Sequence, residues 1–193
     1  LMEGISHEAC SLAGTLGLGN LVILYDDNDI SIDGKVEGWF TEDIPERFRS
    51  YGWDVIPNID GHNTDEIDRA IQKAKSNTEK PSLICCKTII GRGSPNMAGT
   101  AAAHGAIVNP DEIALIRKEL NWENEPFDIP EEVYKDWDAT DLGNSKEEKW
   151  EKTFEKYAQQ NPELSRELKR LISGDLPDGI EDSIYAFIDE AQK

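Results

Sequence analysis

Three short apolar runs constrain the fold of this chain more than any other feature: Leu21-Val22-Ile23-Leu24-Tyr25, Trp53-Asp54-Val55-Ile56 and Leu83-Ile84-Cys85-Cys86-Lys87-Thr88-Ile89-Ile90. Each is dense in the aliphatic, β-branched and aromatic residues that suit strands, and each gives way to polar or glycine-rich sequence. Asp26-Asp27-Asn28-Asp29 follows the first, Asp60-Gly61-His62-Asn63 comes soon after the second, and Gly91-Arg92-Gly93-Ser94-Pro95 ends the third. The continuous first and third runs predict strands covered on both faces. Helical patterns separate them. Gly4 to Gly19 reads as a small-residue helix with Ala9, Leu12, Ala13 and Leu16 on one face, and a short helix starts near Pro45. Asn63 and Glu66 have capping-box spacing ahead of a stripe formed by Ile67, Ala70, Ile71 and Ala74. Strands alternating with helices predict an α/β domain with a parallel sheet and right-handed crossovers.

Beyond Asn109-Pro110, which reads as an N-cap with proline at the first helical position, the chain becomes helical and strongly charged. The reading therefore divides it into a partial α/β domain at 1–109 and a helical extension of the same domain at 110–193. Lys146 to Gln160, Pro162 to Ser173 and Ile180 to Gln192 are the amphipathic stretches. Their stripes, Trp150-Phe154-Tyr157 and Ile184-Phe187-Ile188, are expected to be core. There is no internal repeat and no low-complexity segment.

A formal net charge of −19 disfavours nucleic acid and anionic lipid, because both are bound mainly by neutralising phosphate with Lys and Arg. The same charge opposes any anionic small ligand, and a divalent cation would answer that difficulty. Cys10, Cys85 and Cys86 lack zinc-site spacing and are expected to be buried free thiols in a reducing compartment. The first residues show no leader pattern and no stretch is apolar enough to span a bilayer, so the expectation is a soluble, cytoplasmic protein without membrane partners.

In a parallel α/β sheet, ligands bind beyond the carboxyl ends of strands, which directs attention to Asp26 to Ile32 and Gly91 to Gly105. Both loops are expected on one rim. Carboxylate, amide and carbonyl oxygens suit Mg2+, and Asp26, Asp27, Asn28 and the Ile30 carbonyl are the candidates. On composition alone, an Asp-Asp-Asn sequence is more often a plain solvated turn. Gly91 and Gly93 allow backbone to approach a ligand closely. His104, framed by Ala101-Ala102-Ala103 and Gly105, could donate a charge-assisted hydrogen bond to a phosphate or sugar oxygen.

Together, Met2-Glu3-Gly4-Ile5-Ser6-His7-Glu8, Tyr25-Asp26-Asp27-Asn28, Ile30-Ser31-Ile32-Asp33-Gly34, Lys87-Thr88-Ile89-Ile90-Gly91 and Gly93-Ser94-Pro95-Asn96 resemble the transketolase family in order and spacing. The resemblance continues through Ala98-Gly99-Thr100, His104-Gly105-Ala106 and the helical tail. It implies a thiamine diphosphate-binding fold and transfer of a two-carbon ketol unit between sugar phosphates, in the pentose phosphate pathway. It also implies Mg2+, or Ca2+ as a substitute, and a second subunit in a homodimer. Asn28 would give its side-chain oxygen and Ile30 its main-chain oxygen to the metal. Ile32 would pack against the thiazolium ring, Glu3 would lie near diphosphate and metal, and His104 would contact both cofactor diphosphate and substrate. Asp26, Asp27, His7 and His62 receive no catalytic role.

The family's third metal ligand is an aspartate in a Gly-Asp-Gly turn just upstream of the stretch matching Met2-Glu3-Gly4. Its second domain would follow near Gln192-Lys193. The reading is therefore of a partial chain. Two departures affect the surroundings of His104: Ala101-Ala102-Ala103 stands where many relatives have polar residues, and Ile107-Val108-Asn109 replaces their Pro-Leu-Gly. Two rival readings stay open: a non-catalytic, subunit-binding module of a split or truncated enzyme, and a receiver-type phosphoacceptor built on Asp26-Asp27.

Overall fold

The computed structural model describes residues 4–105 and 107–192, so Glu3 lies outside the described residues. The chain divides into two units, Leu1–Glu123 and Asn124–Lys193. In the first, the order is α1 (Gly4–Thr15), β1 (Val22–Asp27), β2 (Ile30–Ser31), β3 (Gly34–Lys35), α2 (Ile44–Ser50), β4 (Asp54–Asp60), α3 (Thr64–Ser76) and β5 (Ser82–Lys87). A 3-10 turn at Ala101–Ala103 and helix α4 (Pro110–Glu119) complete it.

Strands β1, β5 and β4 form one parallel sheet with β5 in the middle, Tyr25 facing Cys85 and Ile56 facing Ile84 across its two ladders. This placement explains the burial. Residues 82–86 of β5 are buried in succession, as expected of a doubly covered strand. The same expectation fails for β1, which among the described residues has β5 as its one neighbour and leaves Leu24 about half exposed. Pairing with Cys86 and Lys87 also keeps Asp26 and Asp27 extended inside β1, so only Asn28 and Asp29 of the acidic cluster lie past the strand. The third run is shorter than expected, since β5 stops at Lys87.

Each sheet face carries its own core. On one side Phe48, Trp53, Val55, Leu83 and Cys85 pack with Cys10 and Ala13 of α1. Phe48 meets Trp53 edge to face at 5.2 Å, and the Trp53 indole N–H donates to the Cys10 carbonyl at 2.8 Å. Full burial of a side chain as large as Phe48 stabilises by roughly 1.5 to 3 kcal/mol. On the other side Ala70 and Ala74 of α3 cover Ile56, Ile84 and Cys86. Helix α1 ends at Thr15, ahead of the expected Gly19, and buries Cys10 and Ala13 while Ala9, Leu12 and Leu16 stay exposed. The caps form as expected at Asn63, whose Oδ1 accepts from Asp65 and Glu66 N–H, and at Asn109, which accepts from Asp111 N–H at 2.9 Å. The reciprocal arm of the box differs: Glu66 Oε2 takes the Asp60 N–H at 3.0 Å.

The second unit contains α5 (Glu131–Trp137), α6 (Thr140–Gln160), α7 (Pro162–Ser173) and α8 (Ile180–Ala191). Helix α5 has no counterpart in the sequence reading, and α6 starts earlier than Lys146. Trp150 stacks on Phe154 at 5.1 Å, and Lys169 lies over the Phe154 ring at 5.3 Å. The stripes expected to be core are nevertheless open: Trp150, Ile184 and Phe187 are exposed. No helix among the described residues is long and apolar enough to cross a membrane.

Candidate functional site

Because β1 and β5 are parallel neighbours, the loops that leave their carboxyl ends share one sheet edge, the edge at which open α/β sheets bind ligands. After β1 the chain turns through Asn28, whose Oδ1 accepts the Ile30 N–H at 3.0 Å. Asp29, at φ 60, takes the left-handed conformation that Asp tolerates better than most residues. Strands β2 and β3 then pair Ile30 with Lys35. Val36 N–H donates to Asp29 O at 3.1 Å, the bond that flanks a non-hydrogen-bonded antiparallel pair, so the ladder does not take the Ile30 carbonyl.

A cavity of about 500 Å3 opens beside this turn, and its wall includes Asn28, Ile30, Lys35, Phe40, Thr41 and Gly99. Gly99 comes from the loop after β5. The cavity thus brings together Asn28, Ile30 and a member of the second loop. Ile32, 71% exposed in the β2–β3 turn, and His104, exposed at the end of the 3-10 turn, stand outside its wall.

The acidic residues at this edge are already engaged. Asp27 accepts the Lys87 ammonium at 2.7 Å, Asp29 lies 3.8 Å from it, and Asp26 accepts the Thr88 hydroxyl. The bond to Asp27 holds the Lys87 pKa above its ordinary value. An ion pair this exposed adds at most about 1 kcal/mol of stability, and its main effect is to offset negative charge beside the cavity.

Two contacts stitch the exits of β4 and β5. Gly61 N–H donates to Lys87 O at 2.8 Å, an approach that a Cβ would block, since it would fall 2.5 Å from Thr88 Cγ2. Ile89 N–H donates to His62 Nε2 at 2.8 Å, which requires a lone pair on that nitrogen. Further on, Gly99 N–H returns to Ile90 O at 2.8 Å, and Gly91, at φ 65, abuts the buried Ala103. The carboxylate of Glu112 on α4 accepts the Ser94 hydroxyl, the Asn96 N–H at 3.0 Å and the Asn96 side-chain N–H at 2.7 Å. Those bonds, first that from Ser94 and then those from Asn96, lower its pKa.

Lys87, His62 and Glu112 were therefore missed as organisers of this edge. Lys87 had a signal, being a cation set inside an apolar run. His62 and Glu112 act across 27 and 18 residues and had none.

The donor chemistry fits a hard cation. An amide oxygen has two lone pairs, of which Ile30 N–H takes one at Asn28, and the Ile30 carbonyl adds a second neutral oxygen. Two neutral oxygens leave most of a Mg2+ shell to other groups, the usual situation where the ion is shared with phosphate. Among the described residues no group of three or more His, Cys, Asp and Glu could hold a metal ion.

A parallel sheet with a cavity beside the Asn28 turn and a glycine-rich loop at its strand ends defines an α/β domain of the cofactor-binding class. A family model described as transketolase, thiamine diphosphate binding domain, matches residues 1–177, and the chain belongs to this family. It is 55% identical over 192 residues to transketolase 2 of Vibrio vulnificus (strain CMCP6), covering 100% of this chain and 29% of that relative. Among solved structures, transketolase from Leishmania mexicana superimposes with a TM-score of 0.86 at 32% identity, over 92% of this chain and 27% of that one. Transketolase of Pichia stipitis in complex with sedoheptulose 7-phosphate gives 0.84 at 42% identity, over 92% and 26%. The chain thus spans less than a third of the length of these relatives.

Proposed function

We propose that these residues form the diphosphate-gripping part of a transketolase that moves a two-carbon ketol unit from a ketose phosphate to an aldose phosphate. The observation that supports this most directly is the shared cavity wall of Asn28, Ile30 and Gly99, which joins the two loops singled out by the family resemblance. Bound thiamine diphosphate would supply the carbanion-stabilising ring, and the protein would bind, orient and neutralise around it. Asn28 Oδ1 and the Ile30 carbonyl would hold Mg2+, or Ca2+ in its place, against the diphosphate. The exposed Ile32 side chain is free to pack on the thiazolium, and Glu3 would lie near diphosphate and metal. His104, with its imidazole in solvent, would donate to oxygens of cofactor and substrate. The rest of a transketolase chain, a second subunit and a cytoplasmic location complete the proposal.

The test uses the whole natural protein containing these residues, assayed with a ketose phosphate donor, an aldose phosphate acceptor, thiamine diphosphate and Mg2+. Ketol transfer is expected, and its absence would remove the reading. His104→Ala should lower kcat/KM by about one to two orders of magnitude, the value of a charged hydrogen bond of roughly 1.5 to 3 kcal/mol. An unchanged kcat/KM would take His104 out of the site.

A further inference from the structure

Glu112 is the one buried charged side chain among the described residues. A buried carboxylate is costly unless its oxygens are well bonded, and retaining one often reflects a need other than stability. Here both oxygens are engaged: Oε1 by the Ser94 hydroxyl and Asn96 N–H, Oε2 by the Asn96 side chain. The Glu112 carboxylate sits in the first turn of α4, where Asn109 caps the helix and negative charge is favoured.

The loop that it grips cannot order itself by local propensity. Gly91, Gly93 and Gly99 all have positive φ, a conformation in which glycine imposes little preference. Order instead passes along a run of bonds that starts at Glu112. Ser94 Oγ also accepts Met97 N–H at 3.2 Å, and Met97 O accepts Thr100 N–H at 3.2 Å and the Thr100 hydroxyl at 2.7 Å. Thr100 O accepts Ala103 N–H at 3.1 Å, and Ala101 O accepts His104 N–H at 3.0 Å. Gly99, in the cavity wall, lies between these bonds.

We propose that Glu112, through Ser94 and Asn96, is a positioning residue that sets the loop carrying Gly99 and His104 against the Asn28–Ile30 turn. This rests on the functional reading above. Glu112 touches no substrate. It makes the loop pre-formed, so that ordering it does not have to be paid from binding free energy.

The donor and acceptor pattern supplies the test, in the whole natural protein. Asn96→Asp would set two carboxylates against each other where one now accepts from an amide. Adding Glu112→Gln restores a donor and acceptor pair, with the new amide donating to the new carboxylate. Backbone exchange at 96–104 without cofactor, the Kd for thiamine diphosphate with Mg2+, and KM and kcat are measured for wild type, Asn96→Asp and the double variant. Asn96→Asp is expected to raise exchange, Kd and KM about tenfold while kcat falls less, and the double variant should return all three to within about twofold of wild type. The inference is overturned if Asn96→Asp matches wild type, or if the folded double variant keeps the defect. Should Asn96→Asp fail to fold, a folded double variant with wild-type exchange and KM supports the inference, and an unfolded one overturns it. A wild type that binds no cofactor overturns the functional reading instead, while the exchange comparison still decides whether Glu112 orders the loop.

Discussion

At Gly91 the backbone holds φ at 65, and a Cβ built there would lie 2.8 Å from the Ala103 Cβ. Two costs therefore coincide in Gly91→Ala: the left-handed conformation, about 1 to 2 kcal/mol for an L-residue, and a contact closer than methyl groups tolerate. Urea unfolding should show a loss of about 2 kcal/mol or more. Ala103→Gly in the same chain should recover the steric share alone. A Gly91→Ala variant as stable as wild type would mean that the loop does not close on Ala103. The Ala101-Ala102-Ala103 stretch places the small buried side chain of Ala103 where Gly91 passes. Asn28 and Ile30 were legible as oxygen donors after a strand. The proposal that they face a metal rests on a set of motifs, because a lone acidic turn reads more often as solvated.

Helix α3 shows which features a local reading captures. Its cap, stripe and position between two strands all follow from neighbouring residues, and all are present: Asn63 Oδ1 accepts at 3.1 and 3.2 Å, and Ala70 and Ala74 are buried. Asn63→Ala should cost about 1 kcal/mol in equilibrium unfolding, the ordinary value of a lost N-cap. No measurable change would mean that Glu66, bonded to the Asp60 N–H, already fixes the turn. Strand order was not legible. Nothing local in β5 says that the last strand inserts between the first two, and that insertion is why β5 is buried throughout while β1 is half open. Helix α5 escaped for a related reason. It is seven residues long, and Pro130 at its start makes no side-chain capping bond.

Taken as a whole, the chain leaves apolar surface uncovered in each unit: Leu12, Leu16 and Leu24 in the first, Leu171, Ile172 and Phe187 in the second. Expressed alone, residues 1–193 should self-associate, with a sedimentation coefficient that rises with concentration; a sharp, reversible thermal transition of a monomer would contradict this. Whatever the assembly, the sheet imposes an alkaline limit. Burial pushes the Cys85 thiol from 9.0 to about 11, with Asp27 adding to the effect. Tyr25, its cross-strand partner, is raised from 10.0 to about 12 by burial first and then by Asp27. Burial also raises Cys10 and Cys86. The sign follows from linkage: a raised folded pKa contributes fully below the unfolded value and is lost as pH rises through the folded one. Stability should therefore hold to about pH 9 and decline toward pH 11, by about 2 kcal/mol from Cys85 alone. Urea midpoints measured between about pH 8 and about pH 10.5 should fall, and Cys85→Ala should flatten the decline without removing the share due to Tyr25. A midpoint constant across that range would mean that the Cys85 thiol and the neighbouring Tyr25 phenol titrate as they do in the unfolded chain.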